Sequence, residues 1–149
     1  GTSFPVGKVD FMDLYAFKIY MLDVGLLLAM TDLDASVIID GNRIFTEFKG
    51  ALTEQYVLQQ MIAELGVEPY YYTTANSTGE IDFMLQAPGS VIPVEVKAEE
   101  NLRAKSLRAF CEKYHPKHAV WTSMSDFREQ DWMTNIPLYN IDRIGEYLK

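Results

Sequence analysis

The sequence is poor in cysteine and histidine and has no long apolar run. Its one cysteine, Cys111, leaves no internal disulfide, which favours a reducing, cytoplasmic compartment. The most apolar stretch, 16–30, is shorter than the ~20 residues of a membrane span, and Lys18 and Asp23 interrupt it. We therefore expect a cytoplasmic protein without a membrane partner.

Repeats and low-complexity tracts are absent as well, which excludes solenoids and disordered chains. The 149 residues suffice for one compact domain with an ordinary core. Within it we distinguish an N-terminal strand and helix extension (1–48), a core (49–122) and a C-terminal strand and helix (123–149). The chain begins with Gly1 and lacks an initiating methionine, which suggests a fragment of a longer protein.

Positive charge is scarce and confined to one segment. The formal net charge is −8, which argues against binding nucleic acid through a general positive field. Residues 97–118 nevertheless carry six basic against three acidic side chains. Lys105 and Arg108 face away from the apolar side of a predicted helix and are our candidates for contacting nucleic-acid phosphates. Glu112, four residues after Arg108, equally predicts a solvent-exposed ion pair.

Apolar periodicity and turn residues predict an α/β domain with a mixed sheet flanked by helices. The predicted core elements are a helix at 50–65, strands at 69–73, 80–86 and 91–98, a helix at 102–114 and a strand at 118–122. A strand at 136–139 and a helix at 141–148 are predicted to close the chain. Upstream of the core, a strand is predicted at 17–22 and a short helix at 25–30.

A tight turn between two predicted strands brings two acidic residues together. A two-residue loop at Pro88-Gly89 pairs residues equally distant from the turn, which sets Asp82 opposite Glu95 with Cβ atoms ~5 Å apart. Because like charges repel there, we expect a raised pKa at Asp82 or Glu95 in the metal-free protein. Lys97 shares a strand face with Glu95, since the two are two residues apart.

The first predicted helix adds a third carboxylate. Its apolar stripe comprises Leu58, Met61, Ile62 and Leu65, and Glu54 precedes Leu58 by one turn on the same side. A carboxylate on a buried stripe needs a partner, so we expect Glu54 to point towards the pair on the strands. Three hard oxygen donors with a lysine suit Mg²⁺ or Mn²⁺, which can polarise a phosphodiester and lower the pKa of a bound water.

These residues carry a resemblance to a known superfamily. The segments 79–83 (GEIDF) and 92–97 (IPVEVK) resemble the active-site hairpin of the PD-(D/E)XK nucleases, which include archaeal Holliday junction resolvases. Glu54 lies where that superfamily carries a helix carboxylate. The wider chain resembles the nuclease-like domain found C-terminal to the ATPase module of many bacterial and archaeal AAA-type ATPases, notably at 17–26 (FKIYMLDVGL) and 49–54 (KGALTE).

The resemblance implies a restriction-endonuclease-like fold and Mg²⁺- or Mn²⁺-dependent hydrolysis of DNA. Asp82 and Glu95 would bind the metal with the carbonyl oxygen of Val96, and Glu54 would join directly or through water. Lys97 would orient the attacking water or stabilise charge on the phosphate. The sequence has no G-x-x-x-x-G-K-[ST] motif, so an ATPase partner module of the same full-length chain would lie outside this sequence.

Two departures from the superfamily pattern keep a second function open. Ile81 stands where a proline is expected before Asp82, although many members of the superfamily lack this proline. The net negative charge is the larger departure, because a stand-alone nuclease usually presents a positive groove. The alternative is a non-catalytic module that keeps the nuclease fold and docks DNA or a protein.

Overall fold

A computed structural model describes residues 43–74, 79–98 and 104–149. The strand and helix predicted at 17–22 and 25–30 lie outside these residues. Over the described ranges, no helix combines the length and the apolar composition needed to cross a membrane. The division into an extension, a core and a C-terminal part stays a prediction.

The described chain forms a six-stranded mixed sheet with helices on both faces, which confirms the predicted α/β class. The strands are β1 (Tyr70–Thr73), β2 (Glu80–Ala87), β3 (Ser90–Val96), β4 (Val120–Ser123), β5 (Arg128–Glu129) and β6 (Thr134–Pro137). The helices are α1 (Arg43–Gln60), which continues as a π-helical turn (Met61–Leu65), α2 (Lys105–Tyr114) and a 3-10 segment (Leu138–Tyr147). The strand order is β1-β2-β3-β4-β6-β5, with β3, β4 and β6 parallel and the outer pairs antiparallel.

Separate cores cover the two faces of the sheet. On the first, which we call the α1 face, α1 and the 3-10 segment pack on Phe83, Val94 and Val120. On the second, the α2 face, α2 packs on Ile81 and Trp121. Each face therefore has its own helix, and a side chain on β3 meets α1 or α2 according to its position in the strand.

The first helix differs from its prediction in two respects. It begins at Arg43 and runs through Gly50, because one glycine inside a helix costs only about 1 kcal/mol. Ile62, predicted in the buried stripe, is 52% exposed, whereas Val57 and Met61 are fully buried. The π-helical turn adds a residue per turn and rotates the later side chains away from their α-helical positions. Gly66, at φ +62°, ends the segment as predicted.

A bulge in β2 lies next to Asp82. Tyr72 of β1 pairs with Ile81, but Tyr70 pairs with Met84, so β2 holds one residue more than β1 over this interval. As a result, Ile81 and Phe83 pack on opposite faces of the sheet although they are two residues apart. The bulge therefore interrupts the alternation of side chains at Asp82, the residue between them.

Candidate functional site

The β2–β3 hairpin has the register that the Pro88-Gly89 turn predicts. Ala87 pairs with Ser90 across the turn, and the same register continues as far as Phe83 opposite Val94. Gly89 adopts φ +67°, the left-handed conformation that the third position of a type II turn requires. The next step of this register would set Asp82 opposite Glu95, at the end of the regular ladder.

The side chain of Asp82 accepts a hydrogen bond that a backbone carbonyl of β2 would accept in a regular antiparallel pair of strands. The amide of Lys97 donates to Thr122 O of β4 at 2.9 Å, so the preceding amide, that of Val96, projects to the other side, towards β2. Asp82 Oδ2 accepts from Val96 N at 2.8 Å. Because this nitrogen belongs to the peptide that links Glu95 to Val96, the Asp82 carboxylate lies directly beside the backbone of Glu95.

Glu95 is a buried carboxylate with an incomplete set of partners. The residue is 6% exposed, and its Oε1 lies 3.2 Å from Lys97 Nζ. Its Oε2 is buried and makes no hydrogen bond within the described residues. A buried polar atom without a partner is uncommon, and a bound water or ion is one of its explanations.

The pKa of Glu95 is raised, as expected for one member of the pair, but the main cause is different. Burial raises it most, and the nearby carboxylate of Glu80 adds to the effect. The ammonium of Lys97 and the backbone amide of Leu107, in the first turn of α2, oppose the shift by stabilising the ionised form. Thus burial under α2 makes ionisation of Glu95 costly, and Asp82 is not among the groups that shift its pKa.

Trp121 also belongs to this site, although no sequence pattern distinguishes it from a core tryptophan. It pairs with Glu95 across β3 and β4 and is fully buried. The Lys97 ammonium lies 5.8 Å from its ring centroid, which places the lysine between a carboxylate and an aromatic face. Its Nε1 makes no hydrogen bond among the described residues. Only the pairing of β3 with β4, which sequence patterns do not fix, could have identified it.

Glu54 does not join Asp82 and Glu95. No group of three or more histidine, cysteine, aspartate or glutamate side chains is arranged to hold a metal within 43–74, 79–98 and 104–149. The helix that carries Glu54, α1, packs on the α1 face, and the Glu95 carboxylate lies under α2. The expected convergence of three carboxylates is therefore not observed, and a role for Glu54 in metal binding stays a prediction.

The two residues predicted to contact phosphate are both exposed on α2. Arg108 Nε donates to Glu112 Oε1 at 3.1 Å, which confirms the ion pair predicted from their spacing. Its guanidinium also lies 5.9 Å from the Trp132 ring centroid. Lys105 is the first residue of α2, at the helix end that faces Glu95. Contact of either residue with phosphate stays a prediction.

The site just described lies within a recognised family domain. Residues 49–141 match the family described as "Domain of unknown function (DUF4143)". The match covers more than half of the chain, so the protein belongs to the DUF4143 family. No curated protein and no solved structure matches the chain.

Proposed function

We propose that this domain hydrolyses phosphodiester bonds in DNA with Mg²⁺ or Mn²⁺ as cofactor. The observation that carries the proposal is the pairing of Asp82 with the Val96 amide beside the ion pair of buried Glu95 with exposed Lys97. Asp82 on β2, Glu95 on β3 and Lys97 directly after β3 thus lie at the end of the β2–β3 hairpin. This is the arrangement that the resemblance to PD-(D/E)XK nucleases leads us to expect.

The chemistry of these donors suits a hard divalent cation. Glu95 Oε2 is buried without a hydrogen-bond partner in the described chain, and a divalent cation could bind this oxygen as a ligand. In a strand the carbonyl of a residue projects to the same side as its amide, so the Val96 carbonyl also faces Asp82. Asp82, Glu95 and the Val96 carbonyl would hold the ion, with Glu54 as a further donor through water. The bound ion would supply charge stabilisation for the phosphate.

Lys97 would act on the reacting groups in this proposal. It is 40% exposed at its side chain, so a substrate can approach it, while Glu95 and Trp121 restrict its orientation. An ammonium held in this way can orient a water or stabilise negative charge on the phosphate.

An ATPase module is the proposed partner in the full-length protein. Domains of the DUF4143 family commonly lie next to AAA-type ATPase modules, which supports this proposal.

A small chromogenic diester tests this activity without knowledge of the DNA structure required. We expect Mn²⁺-dependent release of p-nitrophenol from bis(p-nitrophenyl) phosphate, reduced about 100-fold or more in Lys97→Met. Lys113→Met, on the exposed side of α2, is the matched control and should keep the activity. Hydrolysis that survives both Lys97→Met and Glu95→Gln would refute the proposal.

Docking without catalysis is the second candidate, and two observations favour it. The net charge of −8 opposes DNA binding, and the described residues contain no three-carboxylate group. A docking module would bind its partner equally well with and without Mn²⁺, and Asp82→Asn or Glu95→Gln would leave that binding unchanged. Metal-dependent hydrolysis by the wild-type domain would exclude this candidate.

A further inference from the structure

Two buried polar atoms without partners lie on residues that are directly paired across β3 and β4. Glu95 pairs with Trp121 in the parallel ladder of these strands. Glu95 Oε2 is a hydrogen-bond acceptor and Trp121 Nε1 is a donor, and neither makes a hydrogen bond within the described residues. Each of these atoms has given up water without gaining a partner, which is costly in a folded protein. An unmatched donor therefore lies next to an unmatched acceptor.

Both side chains lie on the α2 face of the sheet. Trp121 packs in the core beneath α2, and the Glu95 carboxylate is close enough to this helix to be stabilised by the Leu107 amide. Directly paired residues of neighbouring strands project to the same side, and such strands are ~4.8 Å apart. The Glu95 side chain can span this separation by rotation about its own bonds, so its carboxylate can reach the indole.

Thr122 Oγ1 is the third buried atom without a hydrogen bond in the described chain, but it lies on the other face. Thr122 pairs with Val96, which packs with Val120 in the core of the α1 face. Because side chains alternate along β4, the sheet separates this hydroxyl from the indole of Trp121. Among the buried atoms that the described chain leaves unpaired, Glu95 Oε2 is thus the acceptor on the side of Trp121.

The ion pair with Lys97 leaves Glu95 Oε2 available to the indole. The Lys97 ammonium lies 3.2 Å from the other carboxylate oxygen, Oε1, and 5.8 Å from the centroid of the Trp121 ring. It therefore approaches the face of the indole and does not use the N–H at its edge. An ionised carboxylate has about four lone-pair positions, so Oε2 can accept from the indole and still bind a cation.

We propose that Trp121 is a positioning residue of the metal site, whose indole N–H donates to Glu95 Oε2 when this carboxylate binds a divalent cation. Hydrogen bonds from neighbouring groups fix the orientation of carboxylates that bind metals, and their loss typically weakens metal affinity about 10–100-fold. The inference rests on the proposed function, because it assigns Trp121 a role in the cation site of Asp82 and Glu95. It extends that site from the β2–β3 hairpin to β4.

The indole proton of Trp121 tests this role in the full 149-residue chain. The protein has two tryptophans, so its ¹H–¹⁵N spectrum contains two indole signals, and a Trp132→Phe variant assigns them. The probe is Mg²⁺, which is diamagnetic and leaves the signals visible. We expect Mg²⁺ to shift the Trp121 Nε1–H proton downfield, because a hydrogen bond deshields the proton that it uses. This measurement needs neither catalytic activity nor a substitution at Trp121.

Trp121→Phe provides a second measurement. The variant keeps an aromatic ring on the α2 face but lacks the N–H, and calorimetry should show that it binds Mn²⁺ about tenfold or more weakly than wild type. Trp132→Phe is the matched control: Trp132 packs against the same core, and its loss should leave Mn²⁺ affinity unchanged. Urea unfolding of the metal-free protein establishes whether Trp121→Phe folds; if it does not, the wild-type spectra decide.

The possible failures are distinguishable. Cation binding by wild type without a downfield shift of the Trp121 signal would overturn the inference and leave the proposed metal site in place. Wild-type Mn²⁺ affinity in a folded Trp121→Phe variant would have the same consequence. Absence of cation binding by wild type, with and without DNA, would instead refute the metal site and the inference with it.

Discussion

Removing the Asp82 carboxylate should destabilise the hairpin by an amount that the structure allows us to estimate. Asp82 Oδ2 accepts from Val96 N at 2.8 Å, and Val96 is only 8% exposed. A hydrogen bond to a charged group contributes about 1.5–3 kcal/mol, and a buried amide left without a partner costs a similar amount. Since Asp82 itself is half-buried, we expect Asp82→Ala to lower the free energy of unfolding by about 2 kcal/mol.

Asp82→Asn separates the hydrogen bond from the charge. Its amide oxygen can still accept from Val96, so the loss should be about 1 kcal/mol. Urea unfolding of the metal-free protein at pH 7, followed by the fluorescence of buried Trp121, measures both values. Glu68→Ala, at an exposed acid, is the control and should stay within about 0.5 kcal/mol of wild type. Equal losses for the Ala and Asn variants would refute the role of the hydrogen bond.

Three further predictions concern stability. Glu95→Gln should raise the free energy of unfolding at pH 7 by about 1 kcal/mol, because it removes a buried charge while Lys97 remains accessible to water. Because the pKa of Glu95 is raised in the folded state, wild type should lose stability relative to Glu95→Gln as the pH rises from the ordinary glutamate pKa towards the folded-state pKa. A difference between the two proteins in urea unfolding that does not change with pH would contradict this. Gly89→Ala should lower the free energy of unfolding by about 1 kcal/mol, because Gly89 has a positive φ. Gly50→Ala, inside α1, should instead raise the free energy of unfolding by up to about 1 kcal/mol. Thermal unfolding of these two variants tests the turn geometry. Asn135→Ala should cost about 2 kcal/mol and increase amide exchange at 124–127, because Asn135 Nδ2 donates to the carbonyls of Ser125 and Asp126; unchanged exchange there would argue against its role in holding this loop.

Local chemistry was sufficient to predict the hairpin. Pro88-Gly89 fixed the loop length, and loop length fixes the pairing of the residues on either side, so the register was correct as far as Phe83 opposite Val94. Gly66 likewise marked the helix end correctly, because its backbone adopts a conformation that few other residues tolerate. In both cases the signal lies within a few residues of the feature it determines.

The parts that the sequence could not predict depend on contacts between distant segments. The β2 bulge near Asp82 arises from pairing with β1, and no local residue marks it. Which face of the sheet each helix covers is likewise information that apolar periodicity does not contain. The two-residue strand β5 has exposed charged side chains and no apolar alternation, so it gives no sequence signal.

Binding of Mn²⁺ measured by calorimetry tests the proposed site most directly. We predict that the wild-type domain binds Mn²⁺ and that Asp82→Asn and Glu95→Gln each abolish binding, whereas Glu129→Gln, at an exposed acid on β5, does not. Glu54→Gln measures the predicted contribution of the helix carboxylate: weaker binding would support a water-mediated role. Binding that persists in both Asp82→Asn and Glu95→Gln, or no binding by wild type with and without DNA, would contradict the assignment of a metal site to this hairpin.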